Sequence, residues 1–245
     1  MLSKTKILNV TITNETEERV LEYLLERLKK PEKKTFIITP NPEMLVFANR
    51  HLAYQDKINQ ADISLPDGIG LFFASGLLGQ PLKERITGVD FLEKLCKEAK
   101  IKPLSMGFLG GRSGVAERTA ERLLQKYPYL DIVFTGSEWN EKGFNSKAEK
   151  QKKKEIDILF VAFGVPKQEE WIYENLDSLP AKAAIGVGGA FDYLSGTVWR
   201  APFIIRFIGF EWLFRLIVQP WRWRRQLALL EFIYLVVRQR LSPKQ

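Results

Sequence analysis

From residue 35 to about residue 195, short apolar runs alternate with amphipathic stretches, and this alternation constrains the fold more than any other feature. "TFIIT" (35–39), "ADISL" (61–65), "PLSMGFLGG" (103–111), "DIVFTG" (131–136), "DILFVAFG" (157–164) and "AAIGVGG" (183–189) read as strands. "NPEMLVFANR" (41–50), "GVAERTAERLLQKY" (114–127) and "PKQEEWIYENL" (166–176) read as helices. Such alternation predicts an α/β fold: a Rossmann-like parallel sheet with helices on both faces. "KILNVTI" (6–12) adds a strand, and "NETEERVLEYLLERLKK" (14–30) adds a helix that Asn14 would cap, with Glu17 three residues on. Asn41 would cap the helix that Pro42 opens. The charged stretch 145–155 reads as a solvated helix face.

Near Gly196 the rhythm stops, which divides the chain into an α/β catalytic domain, 1–198, and a basic, aromatic helical appendage, 199–245. The net charge of +8 is concentrated there: residues 199–245 hold eight Arg, one Lys and two Glu. Four of the six Trp lie in the same segment, so an anionic surface or ligand is its expected partner. The charge sits among apolar residues rather than in a polar groove, so nucleic acid is not expected. "FIIRFIGFEWLFRLIV" (203–218) is too short and too charged for a span, which needs about 20 mostly apolar residues. It reads either as a helical hairpin packed on the sheet or as an interfacial membrane foot. At about 100° per residue, Arg215, Arg222 and Arg225 share one helix side and Arg224 faces nearly the opposite way. The first three are candidate diphosphate ligands, and Arg224 with Trp221 and Trp223 are candidate membrane contacts. One cysteine and one histidine exclude a disulfide framework and argue against a Cys/His zinc site.

Ligands of open parallel sheets gather where strands end. "GFLGGRSG" places Gly110 and Gly111 between a strand and a helix, either as a tight turn or as a backbone cradle for phosphate or sugar. Its spacing is not that of a dinucleotide fingerprint. Asp67 in "PDGIG" is either a turn residue or a carboxylate able to accept a proton. Thr39 and Asn41 in "TPNP" have structural duties but also sit where a helix N-terminus could meet an anion. Arg85 is a surface arginine or a phosphate clamp, Gln168 a solvated helix residue or a cleft residue, and Asp192 a turn cap or a ribose ligand. No Asp-x-Asp occurs, so a bound diphosphate would be stabilised by arginines or backbone amides, and neither metal nor cofactor is expected.

In order along the chain, "TPNPEMLVFA", "ADISLPDGIGL", "RITGVDF", "GFLGGRSGVAE", "VAFGVPKQEEW", "GVGGAFDYLSG", "RAPFIIRFIGFEWLFRL" and "QPWRWRR" resemble the WecG/TagA/CpsF family of bacterial glycosyltransferases, glycosyltransferase family 26, and its TagA type most closely. The resemblance implies an inverting, metal-independent transfer of N-acetylmannosamine. The donor would be UDP-N-acetylmannosamine. The acceptor would be N-acetylglucosamine on undecaprenyl diphosphate, β-1,4-linked in the wall teichoic acid linkage unit. It implies a peripheral protein on the cytoplasmic face of the cell membrane. Asp67 would be the base; Thr39, Asn41, Arg85 and Gln168 would line the cleft. The uronic acid donor of the same family and a non-enzymatic, membrane-bound nucleotide-binding module are the alternatives. Away from a membrane, the apolar tail could be covered by a second copy.

Overall fold

The computed structural model describes residues 1–30, 33–140, 143–144 and 155–241, without the side chains of Arg222, Arg224 and Arg225. Of the charged stretch 145–155, all but Glu155 lies outside the described residues. Eight strands are seen among them. β1 (Lys4–Ile7) and β2 (Val10–Thr13) form an antiparallel hairpin. The single strand expected over 6–12 is therefore two. Leu8 and Asn9 take positive φ values of 48° and 62°, the backbone of a two-residue hairpin turn.

The other six strands are β3 (Thr35–Ile38), β4 (Ile63–Ser64), β5 (Ser105–Gly110), β6 (Asp131–Gly136), β7 (Ile156–Ala162) and β8 (Ala181–Gly186). They form one sheet in the order β4-β3-β8-β7-β5-β6, with every neighbouring pair parallel. The α/β expectation holds. Side chains alternate across such strands, so each strand feeds two cores. Along β7, Ile158, Phe160 and Ala162 enter one core and Leu159 and Val161 the other.

The first core is covered by α1 (Glu17–Lys29), α5 (Gly88–Glu98) and α6 (Val115–Lys126). The second is covered by α2 (Pro42–Arg50), α3 (Leu52–Ile58), α4 (Ile69–Leu77) and α7 (Lys167–Asn175). Asn41 caps α2 as expected, its side-chain oxygen accepting from Met44 N at 3.0 Å. The cap of α1 is Thr16, not Asn14. Asn14 is instead occupied by the 81–83 loop, accepting from Lys83 N at 2.8 Å and donating to Pro81 O.

After a short helix α8 (Ala190–Leu194) the chain forms α9 (Phe203–Phe207), α10 (Glu211–Val218), a 3₁₀ turn at Pro220–Arg222 and α11 (Trp223–Leu241). This segment has two characters. No side chain of α9 or α10 is buried. α11 packs on α2, and Phe232 and Val236 are fully buried in the second core. Leu8 N donates to Gln239 Oε1 at 3.0 Å, and Arg50 forks onto Glu231, so the helix is tied to the body at several levels. Among the described residues, no helix is long and apolar enough to cross a membrane.

Candidate active site

The carboxyl ends of β3, β4, β5, β7 and β8 open into one cleft of about 1160 Å³. β3 leads into Thr39, which is buried, and its hydroxyl donates to Gly186 O at 2.7 Å, bracing β3 against β8. Asn41 lines the cleft while capping α2. β4 leads through Pro66 to Asp67, whose amide donates to Pro40 O at 2.8 Å. The next residue, Gly68, has φ of +96°, a conformation that residues with a side chain rarely adopt. That turn aims the Asp67 carboxyl at the first residue of α5, and Gly88 N donates to Oδ2 at 3.3 Å.

Burial pushes the Asp67 carboxyl up to about 7, and the nearby Glu211 adds to the rise. The Gly88 amide and Arg85 oppose it. A carboxyl poised near neutrality in a cleft suits proton abstraction from a hydroxyl. Arg85 lines the same cleft and donates to Arg206 O at 2.8 Å. Behind it, Arg200 bridges Asp90 at 2.7 Å and Glu211 at 3.4 Å, joining the N-terminus of α5 to that of α10.

The two glycines of the β5–α6 loop divide the work. Gly110 backs onto the Ala162 backbone, where a Cβ would sit 2.9 Å from the carbonyl carbon. Gly111 lines the cleft, with φ of +77° and its amide donated to Ala162 O. Gln168 also reaches the cleft, but it is not a solvated helix residue: it is buried and each polar atom has a partner. Its Oε1 accepts from Gly164 N at 3.1 Å and Gly188 N at 3.0 Å, tying the β7 and β8 loops together. Its Nε2 donates to Glu169 Oε1 at 2.7 Å. Glu169 is itself fully buried and accepts from Tyr54 Oη at 3.0 Å. Burial pushes this carboxyl up to about 7 as well, against those two hydrogen bonds. Sequence reasoning missed Glu169, because an acidic residue in the first turn of a helix is ordinarily solvated.

Arg215 enters the cleft from α10 and pairs with Asp192 at 3.0 Å. Its guanidinium lies 4.7 Å from the centre of the Tyr193 ring. The tail thus supplies an arginine to the strand ends. The side chains of Arg222, Arg225 and Arg224 lie outside the described residues, so their assignments rest on sequence alone. Trp221 and Trp223 are 71% and 55% exposed. Arg112 and Glu211 also line the cleft. Arg112 stands inside the glycine loop, which was the available signal for it.

A parallel sheet whose strand ends open on a cleft with a desolvated carboxyl and several arginines defines an α/β protein with a polar ligand site at the usual place for such sheets. Residues 5–245 match the family described as "Glycosyl transferase WecG/TagA/CpsF family". The chain belongs to this family and is a glycosyltransferase. A relative from Bacillus spizizenii is 38% identical over 214 residues, which cover 86% of this chain and 82% of the relative. One from Staphylococcus aureus is 30% identical over 249 residues, covering 99% of this chain and 96% of the relative. Both are named N-acetylglucosaminyldiphosphoundecaprenol N-acetyl-beta-D-mannosaminyltransferase.

Proposed function

We propose that the chain moves N-acetylmannosamine from UDP-N-acetylmannosamine to the 4-hydroxyl of N-acetylglucosamine on undecaprenyl diphosphate, with inversion. The observation that carries this reading is the Asp67 carboxyl, held near neutrality in a cleft that Arg85 and Arg215 share. Ionised Asp67 takes the hydroxyl proton as the acceptor oxygen attacks the anomeric carbon in line. The bond to the diphosphate oxygen breaks, and UDP leaves with the electron pair. Arg215, exchanging Asp192 for phosphate, stabilises that charge together with Arg222 and Arg225. Asp192 is then released to meet a sugar or ribose hydroxyl. No metal takes part in this reading, which the lack of an Asp-x-Asp pair supports.

The acceptor chain is insoluble, so the protein works at the cytoplasmic membrane face. Trp221, Trp223, Phe207 and Ile217 are all exposed and apolar, and the segment around them is strongly basic, which suits an anionic bilayer. Off the bilayer, the same surface would favour self-association.

The test is a transfer assay with purified full-length protein, a panel of UDP-sugars and a lipid-diphosphate-GlcNAc acceptor, with and without EDTA. UDP-N-acetylmannosamine is expected to be the best donor and EDTA to have no effect. Preference for the corresponding uronic acid would move the chain to the other donor class of its family. D67N is expected to lose about 10²- to 10⁴-fold in turnover, the usual contribution of a general base, while keeping its fold and UDP affinity. Near-normal transfer by D67N rules Asp67 out as the base.

A further inference from the structure

The cleft has two chemically distinct halves. The strand-end half carries Asp67, Arg85, Gln168, Asp192 and Arg215. The other half lies between α4 and α11, and none of the described side chains that these two helices place in the cleft is charged. α4 starts at Ile69, directly after the Asp67–Gly68 turn. Gly70, Phe73 and Leu77 follow at helical spacing, so they share one face that leads away from the carboxyl. Gly70 to Leu77 covers about 10 Å of helix. Leu229, Ile233 and Val237 make the matching stripe on α11.

The helices meet at the Gly70 end. A Cβ at Gly70 would sit 2.8 Å from the Pro42 ring and within 4 Å of Leu229 and Phe232. Further along, Phe73 is 70% exposed and Ile233 52%, and Leu77 and Val237 are exposed as well. Four apolar side chains therefore line a cavity without closing it, which is an unfavourable surface to leave in water.

We propose that this half, walled by Phe73, Leu77, Ile233 and Val237, seats the first isoprene units of the acceptor's polyprenyl chain. The assignment rests on the acceptor reading above. The argument for this occupant is continuity: the acceptor hydroxyl meets Asp67, the donor's diphosphate takes Arg215, and the wall that starts two residues after Asp67 is the one left for the acceptor's chain. From Leu229 onward the α11 side chains in the cleft are apolar, as are those of α4, and this wall opens at exposed side chains. Recognition of the chain is then a property of the cleft itself, separate from attachment of the tail to a bilayer.

The experiment uses full-length protein in buffer without lipid or detergent. It compares two soluble acceptors, GlcNAc-diphosphate carrying a methyl group and GlcNAc-diphosphate carrying a two-isoprene chain. The isoprenoid acceptor is expected to have a KM lower by at least about tenfold, the gain from burying roughly two methylenes. F73N and I233N are expected to bring the two KM values together. Both side chains are already exposed, so thermal midpoints should not move. Equal KM values in the wild type, or a tenfold difference that survives both substitutions, overturn the groove. A change from oligomer to monomer in the variants with the KM difference intact also overturns it, and marks a self-association face. No transfer to either acceptor overturns the acceptor reading, and the groove falls with it.

Discussion

Asp67 and Glu169 are both pushed up to about 7 by burial, yet their surroundings give them different roles. Asp67 faces the cleft and accepts one backbone amide; Glu169 is enclosed and accepts from two side chains. A base must be ionised, so turnover should rise with pH and level off above about 7. A pH–rate profile flat from about 5 to about 8 would count against Asp67. For Glu169 the effect is on stability. Its folded pKa lies above the ordinary 4.5, so the folded state holds the proton longer than the unfolded chain. Stability should therefore fall as pH rises from about 4.5 to about 7. E169Q carries no charge and keeps a donor and an acceptor, so its thermal midpoint should vary less across that window; an identical pH dependence would refute this. Gln168 differs again. Q168A leaves the Gly164 and Gly188 amides without their acceptor, which should lower unfolding stability by about 1–3 kcal/mol in urea titration. If Q168A changes only the KM for donor, the residue is a substrate ligand rather than a brace.

Among the elements, the parallel sheet was legible because its strands are buried on both faces and read as apolar runs between helices. The strand-end loops were legible too, since glycine and proline mark where strands stop. Two features were not. The hairpin at Leu8–Asn9 hides because Leu8 is apolar and buried, so 6–12 reads as one strand. The role of α11 hides because Arg and Trp at its start suggest a surface element, while Phe232 and Val236 a few turns later sit in the core. Helix period alone does not say which protein surface will receive an apolar stripe. Gln168 illustrates the same limit at the site: the sequence places it in a first turn, and only the fold brings Gly164 and Gly188 onto its oxygen. The contrast between α10 and α11 is measurable. F232A should cost about 3–5 kcal/mol, the range for a buried aromatic, and should also open the cleft. I217S, on an exposed side chain of α10, should change stability by less than about 0.5 kcal/mol. Equal effects would mean that α11 is no more part of the core than α10.

At the scale of the whole molecule, the segment after residue 198 links three requirements. α11 covers the second core, Arg215 enters the cleft, and α9 and α10 leave apolar side chains exposed. Removing residues 199–245 therefore strips Phe232 and Val236 from the core as well as deleting the surface. That truncation is expected to aggregate or unfold early, which makes it a poor test of membrane binding. Point changes separate the roles. Trp221 and Trp223 are exposed, so W221S/W223S should unfold with the wild-type midpoint. If these rings sit at headgroup level, the double variant should lose about tenfold or more of its partitioning onto phosphatidylglycerol vesicles in flotation. The wild type should itself release from those vesicles as salt rises, because its attraction to them is electrostatic in part. Transfer to a soluble short-chain acceptor should survive in the double variant, whereas transfer to acceptor embedded in vesicles should fall with binding. Wild-type-like flotation of W221S/W223S would remove these two residues from the membrane contact and leave Phe207 and Ile217 of α9 and α10 as the surface to test next.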